Sequence, residues 1–412
     1  MSYADADAAK RTLDAAARCG LDADAIVEAL KTLAIETPSW GYADTGTRFG
    51  KFHQPAAART MEEKLEDAGT VQRYAGICPT VATHVLWDFP HGPDPKTIAY
   101  AQECGVRIGA INPNVFQDQC YKFGSFGNPN EQSRQQAIQH CLDSVELGKQ
   151  LDSEYLSLWF ADGTNYPGTD SIRARKRRFT EGLKKVYAAM PPKMTMLIEY
   201  KPFEPAFYHT DIADWGMAYI FAKQCGPQAK VLVDTGHHYS SQNIEQIVAW
   251  LLDEDMLGGF HFNDRRYADD DLTLGSIDPY QVFRIFSEIV GFEAERGARA
   301  KIAYMVDQSH SIKPKIEAML QTVDTTHQLY AKALFVDRKD LAEAQAKTDV
   351  VAAEETLRSA FLTDTRPLIG HVRTLTGREP DALTAYRASG YEAKVARERE
   401  ARHGSPSDAS YA

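Results

Sequence analysis

The stretch KVLVDTGHHYSSQNIEQIVAWLLDEDMLGGFHFND, residues 230–264, decides the fold. It opens with an apolar run (230–236) and closes with another (258–264). Between them Ile244, Ile247, Val248, Leu251 and Leu252 fall at i, i+3, i+4, i+7 spacing, the stripe of an amphipathic helix. Strand, helix, strand is the repeating unit of an α/β protein. The same alternation extends in both directions. Further apolar runs stand at 38–42 (PSWGY), 80–87 (TVATHVLW), 107–112 (RIGAIN), 155–161 (YLSLWFA), 195–201 (TMLIEYK) and 301–309 (KIAYMVDQS). Helical stripes lie among them, for example Ile138, Cys141, Leu142 and Val145, and Ile316, Met319, Leu320 and Val323.

Eight strands alternating with helices predict an α/β fold, a (β/α)8 TIM barrel. A doubly wound sheet is the alternative, but neither GxGxxG nor GxxxxGK[ST] occurs. The predicted boundaries are an N-terminal helical segment (1–35), the barrel (36–335) and a C-terminal helical arm (336–412). The last residues, HGSPSDASYA (403–412), are expected to be disordered.

The chain has 412 residues and a net charge of −11, which argues against nucleic acid or an anionic membrane as partner. The basic run RARKRR (173–178) is expected to be a solvated helix face. None of the six cysteines has CxxC spacing, so a reduced compartment with most thiols buried fits best. The N-terminus carries no apolar signal segment, and no apolar run approaches the ~20 residues that span a bilayer. A cytoplasmic protein is expected.

Four consecutive strands end in acids or histidines. Glu199 and Lys201 share one strand face, being two residues apart. Asp234 is followed by His237 and His238, His261 by the run Asp269–Asp270–Asp271, and Asp307 by Ser309 and His310. Taken singly, each has a bland reading: a salt bridge, a turn cap, a core histidine, a solvated loop. Taken together they would meet in one barrel mouth, where so many carboxylates cannot all ionise without cations. Carboxylates mixed with imidazoles, with open positions, suit Mn²⁺, Co²⁺ or Mg²⁺ better than they suit structural zinc, whose sites are rich in thiolates. The seven groups Glu199, Asp234, His237, His261, Asp269, Asp271 and Asp307 are too many for one open ion and fit two with a shared carboxylate. Trp87 and Trp159, at other strand ends, offer flat faces for a sugar, and His84, Asn112, Asn114 and Ser309 offer hydrogen bonds.

The motifs PSWGY…GTRF (38–49), THVLWD (83–88), SLWFADGTNYPG (157–168), IEYKPFEPAFY (198–208), LVDTGHH (232–238), GGFHFNDRRYADDDL (258–272), MVDQSH (305–310) and YRASGY (386–391) resemble those of bacterial L-rhamnose isomerases with broad aldose specificity. These belong to the wider xylose isomerase-like barrels. The resemblance implies one divalent ion on Glu199, Asp234, His261 and Asp307. It implies a second on Asp234, His237, Asp269 and Asp271, with Asp234 bridging. Mn²⁺ is the expected metal, with Co²⁺, Mg²⁺ or Zn²⁺ as alternatives. Lys201 would contact the sugar near O1. His84, Trp159, Asp307 and Ser309 would line the sugar, joining Trp87 from the strand-end reading, and Phe49 would cap the site of a neighbouring subunit in a homotetramer. The implied activity is conversion of L-rhamnose to L-rhamnulose, with related aldoses such as L-mannose, L-lyxose and D-allose. Hydride would pass between C2 and C1, with Glu199, Lys201 and Asp307 catalytic. An enediol route stays open. A ketose 3-epimerase, a metal-dependent phosphoesterase or endonuclease, and a sugar-binding protein with a dead site are the rival readings.

Overall fold

The computed structural model describes residues 2–47, 50–92, 94–163, 167–204, 208–267 and 269–404. Eight strands close into a parallel barrel: β1 (Glu36–Pro38), β2 (Thr80–His84), β3 (Arg107–Asn112), β4 (Tyr155–Leu158), β5 (Thr195–Glu199), β6 (Ala229–Asp234), β7 (Leu257–Phe262) and β8 (Ala303–Val306). Each pairs with its sequence neighbours, and β1 closes on β8 through Glu36 opposite Met305. The eight expected strands are all present, in order. Their expected ends ran too far. Ser39–Tyr42 is a 3-10 turn, Val85–Asp88 a helical turn, and β4, β5 and β8 stop at Leu158, Glu199 and Val306. The apolar and aromatic character continues past these points because the residues line the mouth, where adjacent strands no longer pair.

The residue pattern inside the barrel explains the site. Ala82, Ala110, Leu197, Leu232, Ala303 and Met305 form a small buried cluster, with Trp40 and Tyr155 packed on it. Side chains two apart on a strand point the same way. Stepping two residues toward the C-terminal end from Leu197, Leu232, Gly259 and Met305 therefore reaches Glu199, Asp234, His261 and Asp307. This middle layer is apolar, with buried Glu36 below it accepting from the Ala110 N–H, and the next inward layer toward the mouth is charged.

Outside the strands, a larger apolar core joins the sheet to the helices. The helix Ile244–Asp253 shows why its segment is helical. Asn243 caps it by accepting from the Gln246 N–H at 2.9 Å, and Ile244, Ile247, Val248, Leu251 and Leu252 are all buried. Each such side chain contributes roughly 2 kcal/mol of burial. Helices Ala6–Arg18 and Ala23–Thr32 precede the barrel, and five helices between Arg338 and His403 follow it. The last of these, Tyr391–His403, is fixed by buried Arg399, which donates to both Asp67 carboxylate oxygens at 2.8 and 2.9 Å. None of the described helices is long and apolar enough to cross a membrane.

The basic run 173–178 is not a simple solvated face. It lies in the helix Ile172–Ala189, and Arg175 is 2% exposed. Asp211 lies 2.7 Å from the Arg175 guanidinium and Asp170 lies 3.3 Å from it. The side chain ties loops on the mouth side to the helix. All six cysteines are free; Cys78 and Cys141 are buried, Cys104, Cys120 and Cys225 partly so, and Cys19 is exposed. Fewer are fully buried than expected.

Candidate metal centre

Glu199 ends β5, Asp234 ends β6, His261 lies in β7 and Asp307 follows β8. Asp234 and His261 are direct partners in the β6–β7 register. Ligand atoms of Glu199, Asp234, His261 and Asp307 all lie within 4.8 Å of one another, a spacing at which they could hold a metal ion. His261 Nδ1 is 3.3 Å from Glu199 Oε2, 3.7 Å from Asp307 Oδ2 and 3.9 Å from Asp234 Oδ2. His237 stands beside them. Its Nε2 lies 3.1 Å from Asp269 Oδ1 and 3.8 Å from Asp234 Oδ2, while its Nδ1 faces the Tyr200 carbonyl at 3.0 Å.

The donor set fits a divalent cation. If His237 Nδ1–H donates to Tyr200, a neutral ring turns its Nε2 lone pair toward two carboxylates. That repulsion is removed only by a second proton or by a cation. His261 Nδ1 and Asp269 Oδ1 are buried and make no hydrogen bond of good geometry, although carboxylate or imidazole atoms crowd them. Without a cation, protons must do the balancing. Burial disfavours the His237 and His261 cations, but the surrounding carboxylates outweigh it, pushing His237 well up and His261 up to about 9. Burial also lifts Asp234 to about 7, opposed by His237 and reinforced by Glu199, Asp269 and Asp307. Asp271 is driven well above the carboxylate range by burial and by Asp269, Asp307 and Asp234. Burial raises Asp307 as well. Glu199 goes the other way, because His261 and His237 overcome its burial and hold it at about 2. Protons forced onto acids beside charged imidazoles mark a site that a divalent ion would neutralise more directly.

The aspartate run divides by position. Asp269 faces inward and binds Lys201 Nζ at 2.7 Å through Oδ2. Asp270 is exposed, and its Oδ2 accepts from the Arg266 and Tyr267 backbone N–H groups at 2.5 and 2.8 Å. Asp271 turns back toward the cluster with a left-handed backbone, φ 46°.

An aromatic wall faces the acids. His84 lies between Trp40 and Trp87, with ring centroids 4.7 and 4.1 Å away, and Phe116 meets Trp159 at 5.0 Å. Lys201 Nζ sits 5.1 Å from the Trp159 ring centroid. Trp87 lies on the short helical turn after β2 rather than in a strand, and its indole N–H donates to Gln117 at 2.9 Å. Among the described residues, Trp159 Nε1 and His84 Nδ1 are buried without hydrogen-bond partners. Burial lowers His84 to about 3, so its ring is neutral. Ser309 donates to the Trp40 carbonyl at 3.1 Å. A cavity of about 730 Å³ opens outward from Trp40, Trp87 and Ser309. Phe49 lies outside the described residues.

Three contributors went unnoticed in the sequence. Trp40 donates its indole N–H to Asp307 Oδ1 at 2.8 Å. It sits in a stretch read as strand, and its contact depends on β1 closing against β8. Phe116 lies in the loop after β3, where nothing local distinguishes it. Asp88 accepts from Ser39 Oγ, the His84 N–H and Lys64 Nζ at 2.6, 2.8 and 2.6 Å, tying the His84 turn to its neighbours. The neighbouring His238 is engaged elsewhere: Tyr200 OH lies 2.7 Å from its Nε2, and burial lowers the ring to about 3.

Comparison with known proteins agrees with this geometry. The xylose isomerase-like TIM barrel family matches residues 94–293. The chain is 41% identical over 397 residues to a "Probable sugar isomerase" of Rhizobium meliloti, covering 94% of this chain and 91% of that protein. It is 40% identical over 390 residues to a "Probable sugar isomerase" of Mesorhizobium japonicum, covering 93% and 90%. Xylose isomerase of Thermus thermophilus is 25% identical over 183 residues, 42% of this chain and 47% of that one. The crystal structure of the IOLI protein with a zinc atom superposes with a TM-score of 0.51 at 13% identity, covering 73% of this chain and 99% of that one, a likeness of fold. The chain belongs to the xylose isomerase-like TIM barrel family.

Proposed function

We propose that the protein is a metal-dependent aldose–ketose isomerase that interconverts L-rhamnose and L-rhamnulose and accepts related aldoses. The observation that carries this reading is the convergence of Glu199, Asp234, His261 and Asp307 opposite the wall of Trp87, Phe116 and Trp159, with Lys201 between. The names of the two similar sugar isomerases support the reaction class. The sequence motifs resembling L-rhamnose isomerases support the sugar.

Glu199, Asp234, His261 and Asp307 would hold one divalent ion. Asp234, His237, Asp269 and Asp271 would hold a second, with Mn²⁺ the expected metal. Bound there, such ions would supply Lewis acidity toward sugar oxygens. The chain's own groups do the rest. The aromatic wall takes the apolar face of the sugar and keeps water from the reacting carbons. The neutral ring of His84 exchanges hydrogen bonds with a hydroxyl. Lys201 Nζ stabilises negative charge that grows on O1. Trp40 holds Oδ1 of Asp307, which leaves Oδ2 facing the ion site, from where it would also orient proton transfer from O2 to O1. As that proton moves, hydride passes from C2 to C1, so C2 becomes the carbonyl carbon and C1 the alcohol. Phe49 is proposed to cap a neighbouring subunit's site within a homotetramer.

The test is an aldose panel of L-rhamnose, L-mannose, L-lyxose and D-allose, assayed with Mn²⁺ and with Co²⁺, scoring ketose and C3 epimer. Ketose from L-rhamnose as the fastest product supports the proposal. Epimerised ketose without aldose–ketose exchange would replace it with the epimerase reading. Running the reaction in D₂O separates the routes: deuterium at C1 of the ketose would refute the direct hydride shift.

A further inference from the structure

Asn263 is part of no ligand set proposed above, yet it makes the most symmetrical contact in the centre. It is 1% exposed and stands two residues beyond His261, on the same inward row. Its Nδ2 lies 3.1 Å from both Oδ1 and Oδ2 of Asp234, itself fully buried. The amide cannot be turned over, because its oxygen would then face the carboxylate. With Nδ2 on Asp234, Asn263 Oδ1 is left buried and, among the described residues, without a hydrogen-bond partner. A buried acceptor left unmade is a standing cost, and it marks the donation on the other side as the one that matters.

Two backbone features hold the amide there. The Asn263 N–H donates to Thr235 Oγ1 at 3.1 Å, and Thr235 Oγ1–H donates back to the Asn263 carbonyl at 2.7 Å. Gly236 supplies the space: its N–H donates to Asp234 Oδ1 at 2.6 Å, and a Cβ on it would come within 2.1 Å of Asn263 Oδ1. The glycine of Asp234–Thr235–Gly236 and the asparagine two beyond His261 thus fit each other across the β6–β7 pair.

We infer that Asn263 is a positioning residue: together with Gly236 it fixes the plane of the Asp234 carboxylate so that this group is oriented for a divalent ion. The inference rests on the metal-centre reading and adds the requirement for this particular pair. Residues behind a ligand that orient it typically alter metal affinity by 10–100-fold. Asn263→Ala frees the carboxylate to rotate. Gly236→Ala pushes the amide away and has the same consequence by another route. Once Asn263 is Ala, the amide that a Cβ at Gly236 would strike is gone and only a 3.1 Å approach to Asp234 Oδ1 remains, so adding Gly236→Ala should cost much less than it does alone.

The experiment is titration of Mn²⁺ into the metal-free full-length protein by calorimetry, for the wild type, the two single variants and the double variant. Melting of each metal-free protein serves as the folding control. The expected result is Mn²⁺ binding weakened about 10–100-fold in each single variant, with the double variant close to Asn263→Ala. Wild-type affinity in Asn263→Ala overturns the inference, as do losses that multiply in the double variant. So does an Asn263→Ala protein that no longer melts cooperatively, because its loss of affinity is then a loss of fold. Failure of the wild type itself to bind Mn²⁺ is a distinct outcome, and it removes the metal reading together with this one.

Discussion

Replacing Arg399 by methionine tests how the C-terminal helices are held to the barrel, and its size follows from the contacts. The guanidinium donates to both oxygens of Asp67, and also to the Ala56 and Glu63 carbonyls. Burial lifts the Asp67 carboxyl, opposed by Arg399, to about 6. When the arginine is removed, Asp67 need not stay ionised and buried; it can take a proton. At pH 7, one unit above that value, this escape costs about 1.4 kcal/mol. The two carbonyls left without a donor add on the order of 1 kcal/mol each. The expected loss at pH 7 is therefore about 3 kcal/mol, at the low end for breaking a buried pair. At pH 5 Asp67 is already largely protonated in the wild type, so the charge part disappears and about 2 kcal/mol remains. The sign in the wild type follows the same way. A carboxyl raised in the folded state favours folding below its unfolded value near 4, and this contribution is lost as pH rises through about 6. Urea unfolding of Arg399→Met and wild type at both pH values reads these quantities. Equal losses at pH 5 and pH 7, or a loss under about 1 kcal/mol at pH 7, would refute the reasoning.

Asp269→Asn and Asp271→Asn should each weaken binding of a second Mn²⁺ and lower turnover. Asp271→Asn should also raise the melting temperature of the metal-free protein, because it removes an acid that burial and three neighbouring carboxyls disfavour. Lys201→Met should lower kcat by roughly 100-fold or more at saturating sugar while the fold is retained, since it deletes the cation facing the charge on O1; steady-state kinetics with circular dichroism checks both halves.

What the sequence revealed, and what it hid, follows from the range of the interactions. The barrel strands were legible as short apolar runs set between helical stripes, as 230–236 and 258–264 show. Four of the runs end in acids or histidines, so Glu199, Asp234, His261 and Asp307 could be named before any geometry. Strand ends were not legible, because Ser39–Tyr42 and Val85–Asp88 keep an aromatic, apolar character after pairing has stopped. Trp40 and Asn263 act on residues far away along the chain or through a neighbouring strand, and no local pattern announces that. Arg175 looked like one of several solvated arginines; only Asp162, Asp170 and Asp211, brought in from separate loops, make it a buried one.

The central claim is that the acids and imidazoles at the mouth hold divalent ions needed to isomerise a sugar. The most direct measurement strips the wild-type protein with EDTA and follows L-rhamnose conversion to L-rhamnulose before and after Mn²⁺ is returned. The stripped protein is expected to show no turnover and to recover as two ions bind per chain. Full activity in the metal-free protein would contradict the claim.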